Sequence, residues 1–158
     1  MPDQASLGLD MVRRFVELSR QLSFPYPLPD AEQFVHDLGY EPPTSQWRIF
    51  IIPELEPHGD LMVGKLRDEM ADIKLDLTTW GGMHPSPGFV AFLEGVFASS
   101  ASTITEMLGA PSERFRGRKP LLHWMLPNQG RIALYCNGTI VTLRIESPAL
   151  IRLDGVKL

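Results

Sequence analysis

Pro120-Leu-Leu-His-Trp-Met-Leu126, Pro127-Asn-Gln-Gly130, Arg131-Ile-Ala-Leu-Tyr-Cys136, Asn137-Gly138 and Thr139-Ile-Val-Thr-Leu-Arg-Ile145 follow one another without a break. Three short apolar runs are separated by two turn signals. Asn137-Gly138 is the stronger one, because a type I′ hairpin turn needs φ > 0 at both central residues and Asn-Gly tolerates it. Gly130 closes a looser turn before it. The stretch predicts a C-terminal β-meander whose apolar side the upstream chain must cover, and it carries no catalytic or ligand motif.

Upstream, apolar residues at helical spacing (Met11, Val12, Phe15, Val16, Leu22) predict a helix over about Gln4–Leu22, ended by Ser23-Phe-Pro-Tyr-Pro-Leu-Pro29. A short helix begins at Asp30, with Asp30 as N-cap, Gln33 as its capping-box partner and Gly39 as the stop. Trp47–Ile52 and Leu61–Leu66 read as strands. Met70–Thr78 alternates, with Ile73, Leu75 and Leu77 on one side and Asp72, Lys74 and Asp76 on the other, which predicts a half-buried strand with a charge-balanced wet face. Ser86-Pro87 opens the longest helix as N-cap and first-turn proline. That helix carries Phe89, Leu93, Phe97 and Ile104 along one stripe, ends at Leu108-Gly-Ala-Pro111, and has a weak point expected around Gly95 and Ala98–Ser102. The tail from Ser147 holds enough apolar residues to be tied down.

The chain of 158 residues is the size of one domain, 1–158, with an ordinary 44% of hydrophobic residues. The sequence thus predicts a single α+β domain: an antiparallel twisted sheet with two to three helices packed on one face. The single cysteine, Cys136, falls on an apolar strand and reads as a core filler, in keeping with a reducing compartment. Met1-Pro-Asp-Gln has no basic leader, and no stretch reads as a membrane span, so the expectation is a cytoplasmic protein with no membrane partner. A net charge of −4 argues against nucleic acid as a partner and suits a basic protein.

Chemistry has few handholds. His36, His58, His84 and His123 lack zinc-ligand spacing, and there is no nucleophile elbow, Walker loop or dinucleotide fingerprint. No catalytic residue, metal or cofactor is therefore assigned, and an enzyme is the minority reading. Pro53-Glu-Leu-Glu-Pro-His-Gly-Asp60 reads as a solvated turn or as a rigid acidic projection toward a partner, since prolines lower the cost of ordering it. Glu54, Glu56, His58 and Asp60, with Trp80 as an apolar anchor, form the candidate partner-binding set. The competing reading of Trp80 is a half-buried residue at a strand end. Arg114, Arg116, Arg118 and Lys119 with Phe115 form one basic cluster, read as a solvated loop before a phosphate site.

The short helix ending in Asp37-Leu-Gly-Tyr40, the helix ending in Leu108-Gly-Ala-Pro111, the basic Gly117 loop, the Trp124 strand and the Gly130-Arg-Ile-Ala-Leu hairpin occur in an order that resembles a family of small actinobacterial cytosolic proteins. That family is associated with the antitoxins (immunity factors) of secreted NAD-glycohydrolase toxins of the tuberculosis-necrotizing-toxin type. The resemblance covers about Ser86–Glu146 best and does not extend to the first helix or the acidic loop. It implies a toxin domain as protein partner and occlusion of its NAD cleft as mechanism, without chemistry by this chain. Two alternatives stand beside it: a secretion-system chaperone or adaptor that binds an apolar client segment, and a small-ligand or enzyme site between sheet and helices.

Overall fold

The computed structural model describes residues 4–40, 49–50, 61–67, 69–117 and 119–156. Strands β1 (Ile49–Phe50), β2 (Leu61–Leu66), β3 (Glu69–Asp76), β4 (Glu113–Phe115), β5 (Leu121–Met125), β6 (Arg131–Cys136) and β7 (Val141–Glu146) form one antiparallel sheet in the order β1-β2-β3-β7-β6-β5-β4. Helices α1 (Leu9–Arg20), α2 (Ala31–Asp37), α3 (Pro87–Leu108) and α4 (Pro148–Val156) complete an α+β fold. The meander β5–β7 docks beside the β2–β3 hairpin through the β3–β7 pair.

Register sorts the side chains into two faces. Val63, Ile73, Ile145, Ile132 and Trp124 lie opposite one another across β2, β3, β7, β6 and β5, and Leu61, Leu75, Leu143, Leu134 and Leu122 form the next row. These rows are the floor of the core, which continues into Phe15 and Val16 of α1, Phe34 and Val35 of α2, and Phe89, Leu93 and Ile104 of α3. A slip of one residue would exchange the whole floor for the opposite face, so burial itself enforces the register. That opposite face carries Asp72, Glu146, Arg131 and Met125 in one row, and Lys74, Arg144, Ala133, His123 and Glu113 in the next.

Several element boundaries depart from the sequence expectation. The first helix starts at Leu9 rather than near Gln4, because residues 4–8 run extended, with Ser6 bridging Thr78 and Gly8 turning the chain at φ +80°. Asp30 makes no side-chain cap: the helix continues a 3-10 turn at Leu28–Asp30, and Gln33 donates to Asp37 Oδ1 at 2.8 Å instead. Gly39 does stop α2, at φ +96° with its N–H on His36 O. Of the expected strand at Trp47–Ile52, Ile49–Phe50 is the part within the described residues. Ser86 caps α3, accepting from Phe89 N–H at 3.1 Å, with Pro87 in the first turn. The helix then runs unbroken through Gly95.

The Asn137-Gly138 connection is not a type I′ turn. Gly138 has φ +94° but Asn137 does not enter the positive region. The loop spans four residues between Cys136 and Val141, and Asn137 Oδ1 accepts from the Thr139 and Ile140 amides at 2.9 and 3.1 Å. The short polar side chain replaces the second positive-φ residue as the organiser of the turn. β4 and α4 are additions to the expected elements. The Ser147 amide donates to Ala71 O at 2.8 Å, which places the start of α4 against β3. Contrary to the expectation that no stretch reaches a membrane span, α3 is by length and composition apolar enough to cross one; here Phe89, Leu93 and Ile104 bury one side of it in the core.

Candidate functional site

The first half of the β3–α3 connection is pinned to its neighbours. Leu77 N–H donates to Val141 O, Thr79 N–H to Ala5 O at 3.0 Å, and Gly81 N–H to Thr139 O at 2.8 Å. A Cβ on Gly81 would sit 2.6 Å from the Phe89 ring, so only glycine lets the chain pass this close to α3. Trp80 lies between those pinned amides and leaves 56% of its surface exposed, and Met83, 78% exposed, follows on the same connection. A large aromatic on a backbone already fixed loses little freedom when it docks.

Along the flank of α3 runs an open groove of about 400 Å³, walled by Leu9 and Val12 of α1 and by Phe92 and Val96 of α3. Gly95 lies in its α3 wall, and a Cβ built there meets nothing within 4 Å. On the other flank a smaller cavity of about 230 Å³ is lined by Val90, Phe97, Pro120 and Cys136. α3 therefore rises between two apolar recesses, with Glu94 and Glu106 as its acidic residues and no Lys or Arg. An apolar surface of this kind is the ordinary mark of a protein contact.

The opposite sheet face holds a network of a different kind. Glu146 has no exposed side-chain surface and accepts from Arg131 Nε at 3.0 Å and Nη2 at 3.2 Å, with Arg144 Nη2 at 3.4 Å. Arg144 Nη1 lies 3.7 Å from Asp72 Oδ2. The face read from sequence as an open, charge-balanced ribbon is a half-buried ion network instead, because β7 and β6 supply arginines opposite the carboxylates. Burial raises the Asp72 pKa, partly offset by Arg144, Lys74 and the Gly64 amide, with Glu146 adding to the rise. A Cβ on Gly64 would fall 2.1 Å from Asp72 Oδ1, so the bare glycine gives that carboxylate its room.

His123, on the same face, approaches Glu113 Oε1 at 3.6 Å, and its pKa is lowered by burial and by Arg131 against the opposing pull of Glu146 and Glu113. The sign follows. Between the folded pKa and about 6.5 the unfolded chain binds the extra proton, so this group's stabilisation is full above about pH 6.5 and is lost as pH falls through that window. We expect unfolding free energy measured by urea titration to drop from pH 7 to pH 5, and His123→Gln to flatten that drop. An identical slope in the variant would refute the assignment.

Among the described residues no three His, Cys, Asp or Glu side chains are placed to hold a metal ion. The groups with shifted pKa are dispersed: Tyr26 lies by the α2 turn, Cys136 in the cavity beside α3, Asp72 and His123 on the far face. Burial raises the Cys136 pKa, which keeps the thiol protonated and a poor nucleophile. Of the residues chosen from sequence, Glu54, Glu56, His58 and Asp60 lie outside the described residues, and Trp80, just past the end of β3, leaves 56% of its surface exposed. The groove beside α3 and the buried Glu146 were not anticipated. Gly95 amid small residues was a legible signal for the first, and nothing local marks the second.

No curated protein and no solved structure matches the chain. A family model matches residues 10–147, most of the chain and all of the sheet and helices α2 and α3, so the chain belongs to DUF6301, a family of unknown function.

Proposed function

We propose that this chain is a non-enzymatic binding protein of the immunity-factor type, which neutralises a NAD-glycohydrolase toxin by occluding its substrate cleft in the cytoplasm. The observation that supports a protein-binding role is Trp80: a large aromatic held outward on pinned backbone, beside an apolar helix flanked by two recesses. The kind of partner comes from the family resemblance. Trp80 and Met83 enter the toxin's cleft, and the α3 flank supplies the surrounding apolar contact that excludes water.

The test is co-purification with a NAD-glycohydrolase toxin domain, followed by NAD hydrolysis with and without this protein. A one-to-one complex with hydrolysis abolished is the expected result. Trp80→Ala then weakens the complex by about 2 kcal/mol, on the order of 30-fold in Kd, as a central aromatic anchor does. Unchanged hydrolysis and no complex across a panel of such toxins would sink the reading.

The groove between α1 and α3 favours a second reading, a chaperone or adaptor that seats an apolar helix of its client. Gly95→Leu separates the two. Filling the groove from an open position leaves the fold intact and abolishes client binding, whereas a toxin complex centred on Trp80 loses only part of its surrounding α3 contact and is weakened far less.

A further inference from the structure

We infer that β4 is a docking edge for an extended, acidic segment of a protein partner, which adds to the sheet as an eighth strand. β4 is the outermost strand beyond β5, and all three of its residues are exposed. Ser112 N–H donates inward to His123 O at 2.7 Å. In the register Glu113 opposite His123 and Phe115 opposite Leu121, the backbone groups of Glu113 and Phe115 face β5, and the N–H and C=O of Arg114 face the open side. That outward donor and acceptor on an edge strand are what a second extended chain pairs with.

Charge selects the partner. Arg114, Arg116 and Lys119 are exposed, and no ion pair engages them among the described residues, although the whole chain carries −4. Glu113, the acidic residue of the strand, is turned to His123. Phe115 is 47% exposed, with its ring edge-to-face on His123 at 5.5 Å, and so offers an apolar contact at the end of the strand. A second copy of this edge is repelled by the same cations. Nucleic acid is disfavoured because it has no peptide backbone to pair with the strand edge and one short cationic patch neutralises few phosphates. An acidic β-prone segment meets both the open backbone groups of Arg114 and the cations.

The experiment uses the full chain and a fluorescein-labelled alternating Glu/Val octapeptide, read by polarisation. Saturable binding, with slowed amide exchange at Arg114, is expected. The double variant Arg114→Glu, Arg116→Glu should weaken binding at least tenfold while its melting curve stays unchanged, since both side chains are in solvent. Alternate N-methylation of the peptide, which removes strand pairing and keeps the charges, should do the same. The inference is overturned if the peptide does not bind, if the Lys/Val counterpart binds equally, if the N-methylated peptide keeps its affinity, or if a single-stranded oligonucleotide binds more tightly than the acidic peptide. None of these outcomes bears on Trp80 or on the toxin assay.

Discussion

Trp124→Ala is expected to destabilise the protein by about 3–5 kcal/mol, the cost of deleting a buried large aromatic and leaving its cavity. Trp124 is 2% exposed and ends the row Val63, Ile73, Ile145, Ile132 across the sheet. Its indole N–H also donates to Gly109 O at 3.0 Å, which ties the C-terminal end of α3 to β5. Removing the ring therefore loses apolar burial and also orphans a carbonyl at the helix end. Against a net stability of roughly 5–15 kcal/mol this is a large fraction, and melting should fall on the order of 10 °C. Trp124→Phe is the control: it keeps most of the apolar area and loses the N–H, so it should cost about 1–2 kcal/mol. Urea unfolding measures both. A loss below about 1 kcal/mol for the alanine variant would show that the helix–sheet seam is not anchored here.

The second large effect belongs to Glu146. Glu146→Ala should cost about 3–5 kcal/mol, because it takes from Arg131, whose side chain is 12% exposed, the carboxylate held by its Nε and Nη2, and withdraws a partner from Arg144. The loss is chiefly the penalty for leaving buried cationic donors short of this carboxylate. The net worth of the pair itself is smaller, so the double variant Arg131→Met, Glu146→Leu should recover much of the stability lost in Glu146→Ala. A double-mutant cycle in urea tests this, and purely additive losses would show that the two charges do not act as a unit.

These two residues mark the limits of local reading. Trp124 announces itself: it sits in an apolar run between a basic loop and a turn, and such a run must go inside. Glu146 reads as the polar end of a strand. Only the pairing of Glu146 with both Asp72 and Arg131 shows that it lies at the centre of a face. Cross-strand partners are far apart in sequence, so no window around residue 146 contains that information.

The same contrast runs through the chain. The three meander strands, the Ser86-Pro87 start of α3, the Gly39 stop and the alternation of β3 were legible because each depends on one residue's backbone preference or on a period shorter than the element. β4 was not, since Glu113-Arg-Phe115 has no apolar alternation and becomes a strand by pairing with Leu121–His123. Asp30 has the right residue type for a helix cap, yet the preceding 3-10 turn holds it in helical geometry, where its side chain cannot reach. Asn137-Gly138 marked a reversal at the right place, and the four-residue register between Cys136 and Val141 decided its type.

For function the division is sharper. Sequence by itself determined which residues are apolar, where the chain turns and that the sheet has one face to bury, because these follow from side-chain hydrophobicity and backbone sterics at single positions. Tertiary structure alone decided that Trp80 stands outward, that α3 is left with a recess on either flank, and that four charged residues from three strands close into one network. Exposure and charge pairing are properties of neighbours brought together from distant parts of the chain, and those neighbours exist only once the sheet has closed.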